Sequence, residues 1–131
     1  MIVSYLPDPE SHPLWQAYLA RRDDIASILD ARCYTIEWLD GELWAGRLNL
    51  WANENAVLVT ELRQYPAGAR EIHAMVAAGS LEGISELRAR AEIWARGSGV
   101  EFASAASRPG WERVLERYGY ELHQVELRKV L

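Results

Sequence analysis

The chain has 131 residues, half of them hydrophobic and a quarter charged, which predicts one globular domain with a core of its own. Its net charge of −5 lies entirely in the first half, because residues 1–65 carry ten acids and five bases and residues 66–131 carry nine of each. This balance argues against a general nucleic-acid binder, which needs a basic surface. No apolar run reaches the ~18 residues that a membrane span requires, so we expect no membrane partner.

The N-terminal sequence and the single cysteine both favour the cytoplasm. Residues 1–10 lack the basic start of a signal peptide, so we expect the chain to stay cytoplasmic. Cys33 has no partner for an intramolecular disulfide, and we expect it to be a small buried hydrophobic residue. His12, His73, His123 and Cys33 are scattered without ligand spacing, which predicts no metal site.

The first third predicts helices after an extended lead-in over residues 1–13, which contain three prolines. Pro13 suits a first helical turn, and an apolar repeat predicts one helix across roughly residues 14–31. Thr35 is the predicted N-cap of a second helix, from Ile36 to about Trp44.

From Gly46 the period of the apolar residues changes from 3.6 to 2, which predicts strands. Short polar turns between the first three predict an antiparallel meander of Arg47–Trp51, Ala56–Tyr65 and Glu71–Ala78. The remaining predicted elements are a helix from Leu81 to about Arg96 capped by Ser80, a strand at Val100–Ala105, a helix that begins at Pro109, and a last strand at Glu121–Val130.

The predicted order is therefore α-α-β-β-β-α-β-α-β, an α+β fold with a mixed, mainly antiparallel sheet flanked by helices. A strand, a crossover helix and a further strand require at least one parallel pair in that sheet. We expect residues 1–131 to form a single domain, with residues 1–45 as the lead-in and a helical lid and residues 46–131 as the sheet core.

The most specific pattern lies in Arg108–Tyr120, R-P-G-W-E-R-V-L-E-R-Y-G-Y. Gly119 can take the left-handed conformation that ends a helix. The apolar stripe of this helix, at i, i+3, i+4 and i+7, is Trp111, Val114, Leu115 and Tyr118.

The segment Arg108–Tyr120 (the corner) resembles the acyl-CoA N-acyltransferase (GNAT) fold, and in particular small GNAT-like proteins encoded among phage and prophage genes. The other resembling pieces, in chain order, are Leu50-Trp51-Ala52, Val59-Thr60-Glu61 with Tyr65-Pro66, Ala78-Gly79 and Trp94-Ala95-Arg96. Together they cover about Gly46 to Val130, and the leading helices fit as the GNAT lid.

The resemblance implies a site for acyl-CoA beside the strand at Glu71–Ala78, where a GNAT sheet splays. Free N–H groups and the dipole of the next helix favour a phosphate there, and an amine would attack the thioester. The matching positions are Met75, Val76 and Ala77 for the pantetheine arm, and Gly79, Ser80, Leu81 and Gly83 for the phosphates.

Two features depart from the family's pattern. The loop G79-S80-L81-E82-G83-I84 has no basic residue, and the carboxylate of Glu82 would repel a phosphate. Leu115 stands where many members have the tyrosine that protonates the leaving thiolate, and Tyr118 falls on the apolar stripe. Gly79–Gly83 is therefore either a phosphate site or a plain strand-to-helix turn.

Other candidate residues each have a structural interpretation beside a functional one. Glu61 is a weak candidate for the general base, and an exposed strand carboxylate is the commoner case. His73 is better explained as a hydrogen-bonded structural histidine, and Ser104 has no nearby His–Asp pair in the sequence. The tryptophans that could line a pocket or a partner surface are Trp38, Trp44 and Trp51.

Two functions follow. The first is a GNAT-like acyltransferase that moves an acyl group from acetyl-CoA or another acyl-CoA to an amine. The second is a catalytically inactive GNAT-fold protein that contacts copies of itself or phage proteins, as a structural or interaction component of a phage or prophage particle. The family's fold supports the first function, whereas Glu82 and Leu115 support the second.

Overall fold

A computed structural model describes residues 10–107 and 109–131 of the chain. Most of the predicted lead-in (residues 1–9) and Arg108 of the corner lie outside the described residues. The helices and strands, in chain order, are α1 (Pro13–Ala20), α2 (Arg22–Ile28), α3 (Ile36–Trp44), β1 (Asn49–Ala52), β2 (Ala56–Gln64), β3 (Arg70–Gly79), α4 (Leu81–Gly97), β4 (Phe102–Ala105) and α5 (Pro109–Glu116).

The strands form one sheet in the order β1-β2-β3-β4. β1 pairs with β2 and β2 with β3 in antiparallel directions, and β3 pairs with β4 in parallel. Helix α4 connects β3 to β4, as a parallel pair requires. The predicted α+β class with a mixed, mainly antiparallel sheet flanked by helices is confirmed.

The two faces of the sheet are covered by different helices because its side chains alternate along each strand. On one face, Val57 and Val59 of β2 pack in one buried cluster with Tyr18, Ile25 and Leu39 of helices α1, α2 and α3. On the other face, the second cluster joins Ala56, Leu58 and Ile72 to Leu87, Ala91 and Ala95 of α4. The sheet is therefore a central layer between a lid of three helices and α4.

Local capping signals position the helices as the sequence predicts. The Thr35 hydroxyl accepts a hydrogen bond from the Trp38 amide, and α3 continues to Trp44 without a break at Gly41. The Ser80 hydroxyl accepts from the Gly83 amide and begins α4. These side-chain acceptors satisfy amides that lack a partner within the helix.

The single helix predicted across residues 14–31 is wrong, because the chain bends at Arg21 and forms α1 and α2 instead. The bend allows a polar contact that ties the lid together. Asp40 of α3 accepts a 2.6 Å hydrogen bond from the Tyr18 hydroxyl and a bidentate pair from Arg22, whose shorter bond is 2.6 Å. Burial, followed by the hydrogen bond to Asp40, raises the pKa of Tyr18.

The last strand predicted at Glu121–Val130 is also wrong: residues 121–131 form no strand. Tyr120, just before this tail, donates to Glu92 of α4, and within the tail Arg128 lies 3.3 Å from Asp30 and 3.6 Å from the Cys33 Sγ. Alternation shows which residues would share a face, but it supplies no partner strand for the backbone. The observed order is therefore α-α-α-β-β-β-α-β-α rather than the predicted one.

No helix within residues 10–107 or 109–131 combines the length and the apolar character that a bilayer crossing demands.

Candidate functional site

The most distinctive backbone feature is a wedge between β3 and β4. The paired residues of these parallel strands, here called rungs, run from Glu71–Phe102 to Ala74–Ala105, and β4 ends at Ala105. β3 continues for five more residues, Met75–Gly79, and among the described strands only β2 pairs with this segment. In the part of the chain that the structure describes, no strand pairs with the backbone groups on its other side, so these groups can pair with a ligand or another chain.

A bulge in β3 lies at the point where the wedge begins. Val59 is opposite Val76 and Thr60 is opposite Ala74, so Met75 is an extra residue between two rungs. A bulge bends its strand and increases the local twist, which turns the rest of β3 away from β4. Met75, Val76 and Ala77 are the first three residues past the last rung, and their role in binding stays a prediction.

The wedge ends in a tight turn between β3 and α4 that requires two glycines. Gly79 has φ 122°, and a Cβ added there would lie 2.6 Å from the Ala56 Cα. A Cβ on Gly83 would lie 2.9 Å from the Asn55 Cβ. The Ser80 amide also donates a 2.9 Å hydrogen bond to the Asn55 carbonyl, so the turn rests directly on the β1–β2 connection.

The first turn of α4 presents two free backbone donors. Ser80 satisfies the Gly83 amide, and the amides of Leu81 and Glu82 have no hydrogen-bond partner among the described residues. Leu81 is 51% exposed, so this end of the 17-residue helix faces solvent. Free amides and the helix dipole together favour an anion at this position.

The charge of the loop opposes the same anion. Glu82 is exposed in the first turn of α4, and no lysine or arginine lies between Gly79 and Ile84. Arg88 lies further along α4 and already has two contacts. It pairs with Glu92, and its guanidinium lies 3.9 Å from the centre of the Tyr118 ring. The backbone at this turn thus favours an anion, and the carboxylate of Glu82 opposes it.

The ring of Tyr118 and the hydroxyl of Tyr120 each contact a charged residue of α4. Tyr118 lies past the end of α5, stacked on Arg88, and not on the apolar stripe of a helix as the sequence predicts. The Tyr120 hydroxyl donates a 3.0 Å hydrogen bond to Glu92, and burial raises its pKa. Leu115 is half-buried in α5.

A polar patch continues the lid-side face of the sheet beyond its apolar part. Glu61 pairs with Arg63 at 2.6 Å, Arg63 lies 3.8 Å from Glu71, and the Tyr65 hydroxyl donates a 2.7 Å hydrogen bond to Glu71. Glu61 is opposite His73 in the β2–β3 register. The contact between Glu61 and Arg63 supports the interpretation of Glu61 as a structural strand carboxylate.

His73 and Ser104 form the pair that the sequence alone does not reveal. They share one parallel rung, and the His73 Nδ1 lies 2.8 Å from the Ser104 Oγ. His73 is 7% exposed, and burial lowers its pKa. A histidine and a serine 31 positions apart meet here because α4 carries the chain back to the same edge of β3, which no local pattern specifies.

Several other predicted residues have clear positions. Cys33 is exposed, so its predicted burial is wrong; the turn at Asp30–Cys33 keeps it on the surface. Within residues 10–107 and 109–131, no three His, Cys, Asp or Glu side chains are grouped as a metal ion would need. Two of the tryptophans predicted to line a pocket or a partner surface pack against other tryptophans, Trp44 on Trp15 and Trp51 on Trp94.

Comparison with known proteins gives no sequence match but clear structural ones. No family model and no curated protein matches this sequence. An acetyltransferase from Trypanosoma brucei matches with a TM-score of 0.65 over 88% of this chain and 94% of its own, at 10% identity. A predicted acetyltransferase from Clostridium acetobutylicum, solved with acetyl-CoA, matches with 0.65 over 89% and 92%, at 11% identity.

A transcriptional regulator from Bacillus halodurans C-125 matches equally well, with a TM-score of 0.65 over 87% of this chain and 93% of its own, at 12% identity. Identities this low establish the fold alone. The chain therefore has a GNAT-like fold, as the resemblance in the sequence implies. Activity depends on the site and not on the fold, because one fold serves several functions.

Proposed function

We propose that the chain is an acyltransferase that moves an acyl group from acyl-CoA to an amine. The observation that carries the proposal is the wedge, in which β3 runs on past β4 to the start of α4, with backbone groups that have no partner among the described residues. An extended ligand with amide groups adds to such an edge as a further strand would. The pantetheine arm of CoA has that chemistry.

The position of the wedge supports the same ligand, because the open part of β3 leads directly to the start of α4. Three residues of extended strand, Met75 to Ala77, span about 10 Å at ~3.3 Å per residue, and the turn at Gly79 and Ser80 follows. An arm along β3 would bring its phosphates to the amides of Leu81 and Glu82. The reactive thioester would then lie near the last rung, Ala74–Ala105, at the closed end of the wedge.

The missing tyrosine at Leu115 slows the proposed reaction without preventing it. A thiol with an ordinary pKa of about 8.5 is a fair leaving group as the thiolate, and it can take its proton from water. A positioned acid would add about 10²- to 10⁴-fold. We therefore propose a slow acyltransferase with weak affinity for acyl-CoA, because Glu82 repels the phosphates.

The proposal is tested by thermal unfolding and calorimetry with acetyl-CoA. Ligand at ~100 times its Kd adds ~2.7 kcal/mol to the stability of the folded chain. ADP serves as the control, because it carries the pyrophosphate without the pantetheine arm and should bind more weakly. The proposal fails if millimolar acetyl-CoA stabilises neither the natural chain nor Glu82→Gln.

A second candidate function is an interaction protein without catalysis, and the tail favours it. Apolar side chains of the tail are strongly exposed, including Leu122 at 69%, Leu127 at 90% and Val130 at 73%. Exposed apolar groups of this kind mark contact surfaces. Light scattering that shows a monomer up to ~100 µM would count against contact between copies. A role in a phage or prophage particle would require the chain to be present in purified particles of a phage that encodes it.

A further inference from the structure

His73 lies at the closed end of the wedge. Its rung with Ser104 immediately precedes Ala74–Ala105, the last rung before β3 and β4 separate. Ile72 and Ala74 belong to the cluster under α4, so the side chain of His73 is on the opposite, lid-side face. An acyl group held at the start of the wedge would therefore be adjacent to this imidazole.

Ser104 fixes one nitrogen of the ring and leaves the other open. The His73 Nδ1 and the Ser104 Oγ are 2.8 Å apart. Among residues 10–107 and 109–131, Nε2 has no hydrogen-bond partner, and it is not among the buried side-chain atoms left unsatisfied there. A proton on Nδ1, donated to the serine oxygen, leaves a lone pair on Nε2.

The surroundings keep His73 neutral near pH 7. Burial and then Arg63 lower the pKa of His73 below its ordinary value of 6.5, whereas Glu61 and Glu71 act in the opposite direction and are weaker. Within residues 10–107 and 109–131, these three groups on β2 and β3 are the charged neighbours of His73, and β4 contributes the hydroxyl of Ser104. A neutral imidazole at a site of this kind can accept a proton.

We propose that His73 is the general base of the acyl transfer and that Ser104 is its positioning residue. The proposal rests on the proposed function. The amine nitrogen forms a bond to the thioester carbon and its proton passes to Nε2 of His73. The C–S bond breaks, its electron pair leaves with sulfur, and the CoA thiolate takes a proton from the imidazolium or from water. The net products are an amide and CoA.

Glu61 is the competing base, and its geometry disfavours it. Its carboxylate is held at 2.6 Å by Arg63, so its lone pairs are already engaged by a cation. Glu61→Gln is therefore an informative control: it should preserve the rate and shift the acidic limb of the pH profile to lower pH, because Glu61 raises the pKa of His73. Arg63→Gln should shift that limb to higher pH for the opposite reason.

The first experiment measures the ring directly, by two-bond ¹H–¹⁵N correlation on the natural chain, with His73→Gln to assign the signal. We expect a protonated Nδ1 and a bare Nε2 at pH 7.5, and a shift of both signals with acetyl-CoA. His12 is an internal reference of the opposite tautomer, because its Nδ1 accepts a 3.1 Å hydrogen bond from the Leu14 amide. A proton on Nε2 of His73 would overturn the proposal.

The second experiment measures thiol release from acetyl-CoA with spermidine or poly-L-lysine as the acceptor. His73→Gln should lower kcat about 100-fold or more, leave the KM for acetyl-CoA unchanged and remove the acidic limb. Ser104→Ala should lower kcat, and Ser104→Thr should restore it because the hydroxyl returns. Loss of the rate in Glu61→Gln, with the rate kept in His73→Gln, would assign the role to Glu61.

The outcomes separate the two proposals. Acetyl-CoA that fails to stabilise the chain contradicts the acyltransferase function itself. Acetyl-CoA that binds while the His73 signals stay fixed contradicts only the role of His73. If neither amine is acetylated by the natural chain, the tautomer and its response to acetyl-CoA decide the question alone.

Discussion

Replacing Glu82 by glutamine should tighten acetyl-CoA binding and at the same time destabilise the free protein. The two effects have opposite signs because the carboxylate of Glu82 stabilises the free helix but repels a bound phosphate. In the first turn of α4 it faces the positive end of the helix dipole, an interaction worth about 0.3–1 kcal/mol. Beside a bound pyrophosphate it adds a like charge to the site.

The size of the second effect follows from the exposure of the helix start. With about 6 Å between the carboxylate and one phosphate charge and an effective dielectric constant of roughly 40–80, the repulsion is ~0.7–1.4 kcal/mol. Glutamine should therefore lower the Kd about three- to tenfold at low salt. Screening by 0.15 M salt roughly halves the effect at this distance. Glu82→Lys should about double the gain in binding free energy.

Calorimetric titration of acetyl-CoA at 20 mM and 150 mM salt measures the gain, and urea unfolding measures the loss of stability. Glu112→Gln is the matched control, because Glu112 is an exposed acidic residue in the first turn of α5. Both variants should lose similar stability, and only Glu82→Gln should bind more tightly. Equal affinities of the two variants at low salt would refute the placement of the phosphates at α4.

Three further predictions concern stability. Gly79→Ala should lower the free energy of unfolding in urea by at least ~2 kcal/mol, because φ is 122° and the added Cβ meets Ala56. Gly41→Ala, in the interior of α3, has free space for its Cβ and should raise the free energy of unfolding by ~0.5–1 kcal/mol. Above pH ~10 stability should fall, because unfolded Tyr18 ionises at its ordinary pKa while folded Tyr18 keeps its proton; Tyr18→Phe should flatten this slope. Below pH ~6.5 stability should also fall, because unfolded His73 gains a proton that the folded form resists, and His73→Gln should reduce that loss. Unchanged slopes in these variants would contradict the two assignments.

The sequence predicts the elements that local signals encode. Thr35 and Ser80 cap their helices as predicted, and the change of period at Gly46 correctly separates the helical lid from the strands. A cap hydroxyl needs a backbone amide only two or three residues away, so its partner is present in the same short stretch. The class of fold follows from the order of such elements.

Features that depend on register escape the sequence. The bulge at Met75 exists only relative to β2, and the pair of His73 with Ser104 exists only once α4 has returned the chain beside β3. The bend at Arg21 interrupts a continuous apolar repeat and is accompanied by a tertiary contact, Arg22 with Asp40 of α3, that the local pattern does not encode. In the tail, Val125 and Leu127 alternate with polar residues as in a strand, but no described strand pairs with them.

The tail also determines how firmly the wedge is held. Because residues 121–131 form no strand, β4 is a four-residue edge strand with β3 as its one strand neighbour among the described residues. Short edges open at lower free energy than strands with neighbours on both sides. We therefore expect the backbone amides of β4 to exchange with deuterium much faster than those of β2. If acetyl-CoA binds in the wedge as proposed, it should slow exchange at β3 residues Met75–Ala77 and leave β2 unchanged, because the ligand would pair with the side of β3 opposite β2. Equal protection of β4 and β2 would show that another part of the chain covers this edge, and protection confined to the tail would place the ligand outside the wedge.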